Sequence, residues 1–336
     1  MSTATVDARS KPAAIRWARY TAKRLIHSLL VILGAFTVTF AIMYVLPSDP
    51  IAIMLGSKSG DAAAKTDPAA VAALNSEYGF DRPIAVQYVT QLGRMLTGDF
   101  GTSLRTGAPV SDALAQAIPS TVALSLAGLA VGLILGITIA ATAARSRSAR
   151  LQGILLALPP FGVAVPSFLL GLIAIQLFAF HWPIFPPLGN NGVKSLVLPA
   201  VTLGIGTAAT IAQVLSRTFM HTWNQPFVDV ARAKGASRTR VQFAHIFRAG
   251  LVPLLTISGM VVGNLFAGAV VIETVFSRRG VGLLTQASIA DQDVPVIQAI
   301  VVLSAAAYVL VSLSVDLLYP LADPRMKSVL ESGGQR

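Results

Sequence analysis

Residues 119–144 read PSTVALSLAGLAVGLILGITIAATAA, a run without a single Asp, Glu, Lys or Arg. The hydrocarbon core of a bilayer needs about 20 apolar residues of helix. The same requirement is met by five further charge-free runs: Leu25–Leu46, Leu151–Phe180, Leu196–Ser216, Ala249–Ile272 and Val296–Val315. Six such runs are improbable in a soluble core. We therefore predict an all-α integral membrane protein with six transmembrane helices.

Composition supports a lipid environment. Of the 336 residues, 54% are hydrophobic and 12% are charged, whereas soluble domains carry about 25% charged residues. The mean hydropathy is +0.68. So much apolar sequence excludes disorder, and the absence of cysteine excludes a disulfide scaffold.

The first apolar run is predicted to be a retained helix. It is longer than the apolar part of a signal peptide, and Pro47-Ser48-Asp49-Pro50 follows it in place of a cleavage site with small residues. With the N-terminus in the cytoplasm, 18 of the 26 Lys and Arg residues fall on the inner side, as the positive-inside rule requires. We expect both termini inside. Because the net charge of +11 follows this topology and forms no single stripe, no nucleic-acid partner is expected.

The spans divide the chain into eleven segments. A basic lead with a short interfacial helix (1–24) is followed by the first span (25–46) and an external region (47–118). The predicted remainder comprises spans at 119–144, 151–180 and 196–216, a cytoplasmic loop (217–250), a span at 249–272, an external loop (273–295), a span at 296–315 and a cytoplasmic tail (316–336).

The external region contains two predicted helices, near 68–78 and from Pro83 to about Leu96. In the second, apolar residues recur at helical spacing: Ile84, Tyr88, Leu92 and Met95–Leu96. This stripe either lies on the membrane or packs on the other spans, and the sequence does not choose.

Several residues interrupt the apolar runs. Pro159, Pro160 and Pro166 predict a tilted or kinked third span, and Pro199 and Gly204 predict an interrupted fourth span. The polar residues within spans are Gln176, Gln213 and Asn264. Hydrogen bonding between helices is the favoured interpretation for them, and lining of a pathway is the alternative. The spans contain no charged residue, which argues against an ion-coupled secondary transporter.

Residues 224–237, NQPFVDVARAKGAS, form the most informative cytoplasmic stretch. Asn224 can cap a helix, Pro226 suits its first turn and Gly235 can adopt a left-handed stop, while Ser237 can cap the next helix. The pattern predicts a rod from Pro226 to Lys234, about 13 Å long. Between two membrane helices such a rod can transmit a push from a soluble partner, although an ordinary surface helix would show the same signals.

Asp229-Val230-Ala231-x-x-x-Gly235 resembles the Glu-Ala-Ala-x-x-x-Gly loop of ABC importer permeases, and its surroundings resemble the oligopeptide/dipeptide permease family. Roughly residues 20–326 share motifs with that family in the same order. The other shared motifs are Leu46-Pro47-Ser48-Asp49-Pro50, Tyr78-Gly79-Phe80-Asp81-Arg82-Pro83 with Gln87-Tyr88, Gly98-Asp99-Phe100-Gly101-Thr102-Ser103, Pro166-Ser167-Phe168, Leu198-Pro199-Ala200, Glu273-Thr274-Val275-Phe276-Ser277 and Asp323-Pro324-Arg325.

The chain also departs from the family pattern. Asp229 stands for the usual Glu and Val230 for an Ala, changes that keep the charge and the apolar character. Ser48 replaces a Gly. Arg278-Arg279-Gly280 stands where the family has a Pro before the Gly, which affects the expected external contacts more than the fold.

The resemblance implies the type I ABC importer permease fold in the bacterial cytoplasmic (inner) membrane. It implies one of two membrane subunits of a peptide importer, with a second, homologous permease, two ATP-binding subunits and an external substrate-binding protein as partners. This chain would then be non-catalytic and without a cofactor, and ATP–Mg would bind to the ATPase subunits. Gly189–Ser195 comes closest to a phosphate loop, but Val193 precedes Lys194 where a Gly is needed, so it is interpreted as an external turn.

Three sets of candidate site residues follow from the resemblance. The ATPase-coupling set is Pro226, Phe227, Asp229, Ala231, Arg232, Ala233, Lys234, Gly235, Ala236 and Ser237. The set facing the binding protein or substrate is Asp49, Asp81, Arg82, Asp99, Ser277, Arg278, Gly280, Asp291 and Asp293, with a solvated loop as the favoured interpretation for the last two. Gln176, Gln213 and Asn264 are the pathway candidates.

Alternatives to peptide transport remain open. Permeases for nickel, glutathione or other small solutes such as oligosaccharides belong to the same superfamily. The four histidines, His27, His181, His221 and His245, are scattered, and no metal site is expected. A membrane enzyme is disfavoured because no paired acid–base or nucleophile constellation is present.

Overall fold

The computed structural model describes residues 13–45 and 81–322. All regular elements in these two ranges are helical. The α-helices are α1 (Ala13–Val45), α2 (Ile84–Leu96), α3 (Val110–Arg145), α4 (Ala149–Ala164), α5 (Ser167–Ile175), α6 (Lys194–Trp223), α7 (Pro226–Ala233), α8 (Arg238–Val241), α9 (Phe247–Val275), α10 (Val281–Ala290) and α11 (Val294–Ala322), and π-helical segments lie at Gln176–His181 and Gln242–Ile246. The expected helix near 68–78, Asp49 and the Asp323-Pro324-Arg325 motif lie outside the described residues.

Four of these helices, α1, α3, α6 and α11, are each long and apolar enough to cross a membrane. Two further candidates are bent pairs of helical segments. The first is Ala149–Ala164 with Ser167–His181, and the second is Arg238–Ile257 with Gly259–Val275. The described part of the chain therefore holds four candidate spans, or six if each bent pair counts as one.

The third apolar run is broken and not merely kinked. Its two halves, Ala149–Ala164 and Ser167–His181, meet at 99°. The break falls at Val165, which has extended backbone angles because the ring of Pro166 disfavours the helical conformation in the residue before it. Pro166 then precedes the first turn of α5, where its missing amide costs nothing. α5 ends in a π-helical segment, Gln176–His181.

The expected interruption of the fourth run is wrong, since α6 continues through both Pro199 and Gly204. Gly204 serves close packing. A Cβ atom at this position would lie 2.7 Å from Val131 Cγ1 and 2.9 Å from the Gly128 carbonyl oxygen. It therefore allows the backbone of α6 to approach α3.

The α3–α6 contact forms the centre of the fold. Gly128, Gly132 and Gly136 recur every fourth residue along one face of α3. Cβ atoms there would meet Leu203, Thr207 and Ile211, which have the same spacing on α6. Small residues at this spacing let membrane helices approach closely, so that dispersion holds them together.

Around this seam the described helices bury a continuous cluster that includes Leu124, Ile211, Leu215 and Ile272. A second cluster joins the first turns of α3 to α11 through Val110, Leu114, Val296, Ala299 and Ile300. The outward faces expose large apolar side chains, among them Leu126, Ile134 and Ile154. In a membrane protein such faces contact lipid.

Candidate functional site

The rod expected over Pro226–Lys234 is the helix α7, Pro226–Ala233, one residue shorter than expected. Pro226 occupies its first position, and the extended Gln225 precedes it. The expected cap, Asn224, instead ends α6, and its amide lies 3.3 Å from the His221 carbonyl oxygen. Gly235 follows α7 with φ +86°, the left-handed conformation that its position predicts.

One face of α7 packs on the protein and the other is open. Val228 is buried and Ala231 packs against the main cluster. Phe227 and Val230 remain 43% and 54% exposed. The exposed face of this short helix thus presents two apolar side chains three residues apart. Sequence reasoning missed Val230, because a short amphipathic pattern does not say which apolar residues the protein itself buries.

Side-chain contacts join the segments on either side of α7, and one of them involves α7 itself. The Trp223 indole nitrogen donates to Gln242 Oε1 at 2.9 Å, and the Arg238 guanidinium lies over the Trp223 ring, 5.1 Å from its centroid. The rings of Phe227 and His245 meet edge to face at 6.0 Å. These contacts tie α7 and the end of α6 to the segment 238–246, which leads into α9.

The connection after the rod is capped as expected. Ser237 Oγ accepts a hydrogen bond from the Arg240 amide at 3.2 Å, at the start of α8. Of the coupling candidates, Ala231 and Ala236 are half-buried. The others are exposed on this surface: Pro226, Phe227, Asp229, Arg232, Ala233, Lys234, Gly235 and Ser237.

The surface around the rod is basic. Arg145, Arg147 and Arg232 lie close enough to Arg238 to act on it electrostatically, and Arg145 Nη1 donates to Thr239 Oγ1 at 3.2 Å. Such a surface suits a partner with acidic groups.

Glu273 is fully buried near the C-terminal end of α9, the end away from α7. Its carboxylate accepts hydrogen bonds of 2.6 Å from Thr121 Oγ1 and from the Gly282 amide. Thr121 Oγ1 in turn accepts from the Val281 amide at 2.8 Å. The carboxylate thus lies at the positive end of α10, where a negative charge is favourable. It links α3, α9 and α10. Sequence reasoning missed this role, for which the available signal was a lone acid at the end of an apolar run.

Arg278 is also buried. Its Nη1 donates to the Ser195 carbonyl oxygen at 3.1 Å. Helix geometry would pair that carbonyl with the amide of residue 199, and Pro199 has none. Burial lowers the pKa of the Arg278 guanidinium from its ordinary value, and the nearby Glu273 carboxylate opposes this by raising it. Arg278 therefore satisfies a carbonyl that the proline leaves free.

Three of the residues expected to make external contacts are buried within the protein. Arg278 and Gly280 are buried, and a Cβ atom at Gly280 would collide with the Glu273 carboxylate. Asp293 is buried too, and it accepts hydrogen bonds from Ser103 Oγ and, at 3.1 Å, from the Leu104 amide. These contacts fix the loop before α3 to the start of α11.

The other external candidates lie nearer the surface. Asp81, Arg82, Asp99 and Ser277 are exposed, and Asp291 is half-buried. Asp291 Oδ1 lies 3.9 Å from Arg105 Nη1. Asp99 accepts a hydrogen bond from the Gly101 amide at 2.9 Å.

The structure does not bring the three pathway candidates to one helix. Gln176 lies in the π-helical segment after α5, Gln213 on α6 and Asn264 on α9. Gln176 and Asn264 are exposed in this chain, and Gln213 is half-buried. Within the two described ranges, no group of three or more His, Cys, Asp or Glu side chains could hold a metal ion.

Comparison with known proteins identifies relatives along most of the chain. Residues 110–328 match the family described as binding-protein-dependent transport system inner membrane component, and residues 17–125 match the N-terminal family of such membrane components. The glutathione transport system permease protein GsiC of Salmonella choleraesuis is 30% identical, with 92% of this chain and 98% of that protein covered. The oligopeptide transport system permease protein AppB of Bacillus subtilis is 32% identical, with 92% and 99% covered.

The fold also resembles a solved structure. A chain of the MetNI methionine ABC transporter in an inward-facing conformation superposes with a TM-score of 0.54 at 16% sequence identity. The match covers 62% of this chain and 96% of that chain. At this identity the likeness concerns the fold alone.

Proposed function

The chain belongs to the family of binding-protein-dependent transport system inner membrane components, and from that membership we propose that it is one of two unlike permease subunits of an ATP-driven peptide importer. As a family member it is a multi-pass inner-membrane permease subunit of an ABC importer, and it works with other transporter subunits. A peptide substrate is supported by the name of AppB. Glutathione is the alternative that the name of GsiC supports.

The proposed assembly has a second, homologous permease, two ATP-binding subunits and an external substrate-binding protein. In it this chain crosses the membrane six times, with each bent pair forming one span and both termini in the cytoplasm. The distribution of Lys and Arg supports this orientation. The chain itself is non-catalytic and has no cofactor, and its partners bind ATP–Mg.

The exposed apolar face of α7 is the observation that carries the coupling mechanism. Phe227 and Val230 would fill a groove on an ATPase subunit, and the exposed Arg232 and Lys234 would pair with acidic groups there. When the ATPase subunits close on ATP, they would push α7. The contact of Phe227 with His245 and those of Trp223 with Gln242 and Arg238 would pass this movement to α6 and α9, so that the spans rock between inward-open and outward-open states.

We expect Val230→Asp to abolish the stimulation of ATPase activity by loaded binding protein, because it places a charge in an apolar contact. Gly235→Asp should weaken this stimulation, because its carboxylate would repel the acidic groups proposed to meet Arg232 and Lys234. The measurement is ATP hydrolysis by the assembled complex in lipid vesicles. Val230→Ile is the matched control and should retain stimulation. Undiminished stimulation in both Val230→Asp and Gly235→Asp would refute the assignment.

The substrate is tested separately. The complex is isolated from native membranes together with its binding protein, and mass spectrometry identifies the molecules that the binding protein carries. We expect peptides of several sequences. Glutathione alone, nickel or a sugar would contradict the peptide assignment and would leave the coupling mechanism intact.

A further inference from the structure

We propose that α2 is embedded in the outer leaflet of the membrane, where its face formed by Val86, Val89 and Leu96 contacts lipid acyl chains. Neither the family membership nor the proposed transport function assigns a role to this helix. The inference goes beyond that function, and only the choice of leaflet rests on the proposed orientation.

α2 is apolar on its open face as well as on its packed face, where Tyr88, Leu92 and Met95 are half-buried. Val86, Val89 and Leu96 recur at helical spacing on the open face, and the last two are 67% and 74% exposed. Gln87 is buried on the inner face, and its Nε2 donates to the Arg82 carbonyl oxygen at 2.8 Å. A helix whose open face is apolar suits lipid better than water.

Contacts with α1 set the depth of α2. The Tyr88 hydroxyl lies 2.8 Å from Thr37 Oγ1, and the Tyr88 ring packs at 5.2 Å from the rings of both Phe36 and Phe40. Thr37 lies five residues before Ile42, where the candidate span in α1 ends, which corresponds to about 8 Å along the helix. Because each leaflet contributes roughly 15 Å of hydrocarbon, the proposed orientation places Tyr88 within the outer half of the hydrocarbon.

α2 packs on a helix whose opposite face is open. α1 exposes Val38 and Ile42 on the side away from Tyr88, and α1 is itself a candidate span. The charged end of α2 also fits this position. Arg94 lies in its last turn and is 3.9 Å from Asp99 in the following loop, where a long cation can reach the headgroups. Lipid is thus the occupant that depth and polarity favour.

Single-cysteine variants of the complete transporter in lipid vesicles test the proposal. The chain has no cysteine, so the other subunits are used in cysteine-free form. Val89→Cys carries an environment-sensitive fluorophore, and quenching is measured with lipids that bear a nitroxide at defined depths along the acyl chain. Val38→Cys on α1 is the lipid-facing control. Thr106→Cys, exposed in the loop before α3, is the aqueous control.

We expect Val89→Cys to be quenched most strongly by nitroxides within the acyl chain, as Val38→Cys is, and to resist a membrane-impermeant thiol reagent. Thr106→Cys should react with that reagent and show no acyl-chain quenching. Reaction of Val89→Cys with the impermeant reagent would mean that water covers this face, and would overturn the proposal. Protection without lipid quenching would mean that protein covers it, and would overturn the proposal equally.

The Thr106→Cys control also tests which leaflet holds α2, independently of whether α2 is embedded in the membrane. If it reacts only from the side of the vesicle that holds the ATPase subunits, the proposed orientation is wrong. Lipid quenching at Val89→Cys would still establish that α2 is embedded, although in the other leaflet.

Discussion

Pro199 and Arg278 lie far apart in the sequence, but both determine the hydrogen bonding of the Ser195 carbonyl. The proline deprives the Ser195 carbonyl of its helical donor, and the buried guanidinium supplies another at 3.1 Å. An unsatisfied buried carbonyl costs about 1–3 kcal/mol. A proline within a membrane helix therefore need not break it when a donor from another segment is available. This is why the expected interruption at Pro199 does not occur.

The two acidic residues before α11 are expected to differ sharply on mutation. Asp293→Asn should destabilise the protein by about 1–3 kcal/mol, because the buried carboxylate accepts bonds from Ser103 and Leu104. Asp291→Asn should cost less than about 1 kcal/mol, because its pair with Arg105 is partly solvated. Thermal unfolding of the purified variants in detergent measures both. Equal losses would contradict the assigned roles.

At the scale of the element, local sequence signals predicted helix ends better than helix partners. Pro226 and Gly235 bracket α7 through their own backbone preferences, and Ser237 caps α8. The seam between α3 and α6 depends on which glycines of one helix meet the other, and an apolar run with many glycines does not show this. The severity of the break at Pro166 likewise depends on how α5 packs.

The seam itself is open to a direct test. Gly136→Ala should destabilise the protein by about 1–3 kcal/mol through overpacking, because the added Cβ would lie 2.8 Å from the Ala208 carbonyl oxygen. Gly153→Ala on α4 is the matched control. A Cβ there has no neighbour within 4 Å, and the change should stabilise the helix by roughly 0.5–1 kcal/mol. Chemical unfolding in mixed micelles compares the two, and a Gly136→Ala protein as stable as the parent would disprove close packing here.

For the whole molecule, apolar length and charge placement were enough to predict an all-helical membrane protein, because the bilayer imposes both on any chain that crosses it. The motif around Asp229 and Gly235 indicated the family that the comparisons then showed. The network of Thr121, Glu273 and Gly282 was not predictable. Its members are distant in sequence, and their burial arises only when the helices assemble.

The network on the proposed outer face also has a consequence for biosynthesis. Glu273 reaches back 152 residues to Thr121, and Asp293 reaches back 190 residues to Ser103. The polar groups of Ser103 and Thr121 therefore gain these hydrogen-bond partners only after Glu273 and Asp293 have been synthesised. A chain that is truncated before residue 293 leaves the Ser103 hydroxyl and the Leu104 amide without their acceptor. Completion of this face thus requires the chain to have been synthesised at least as far as Asp293.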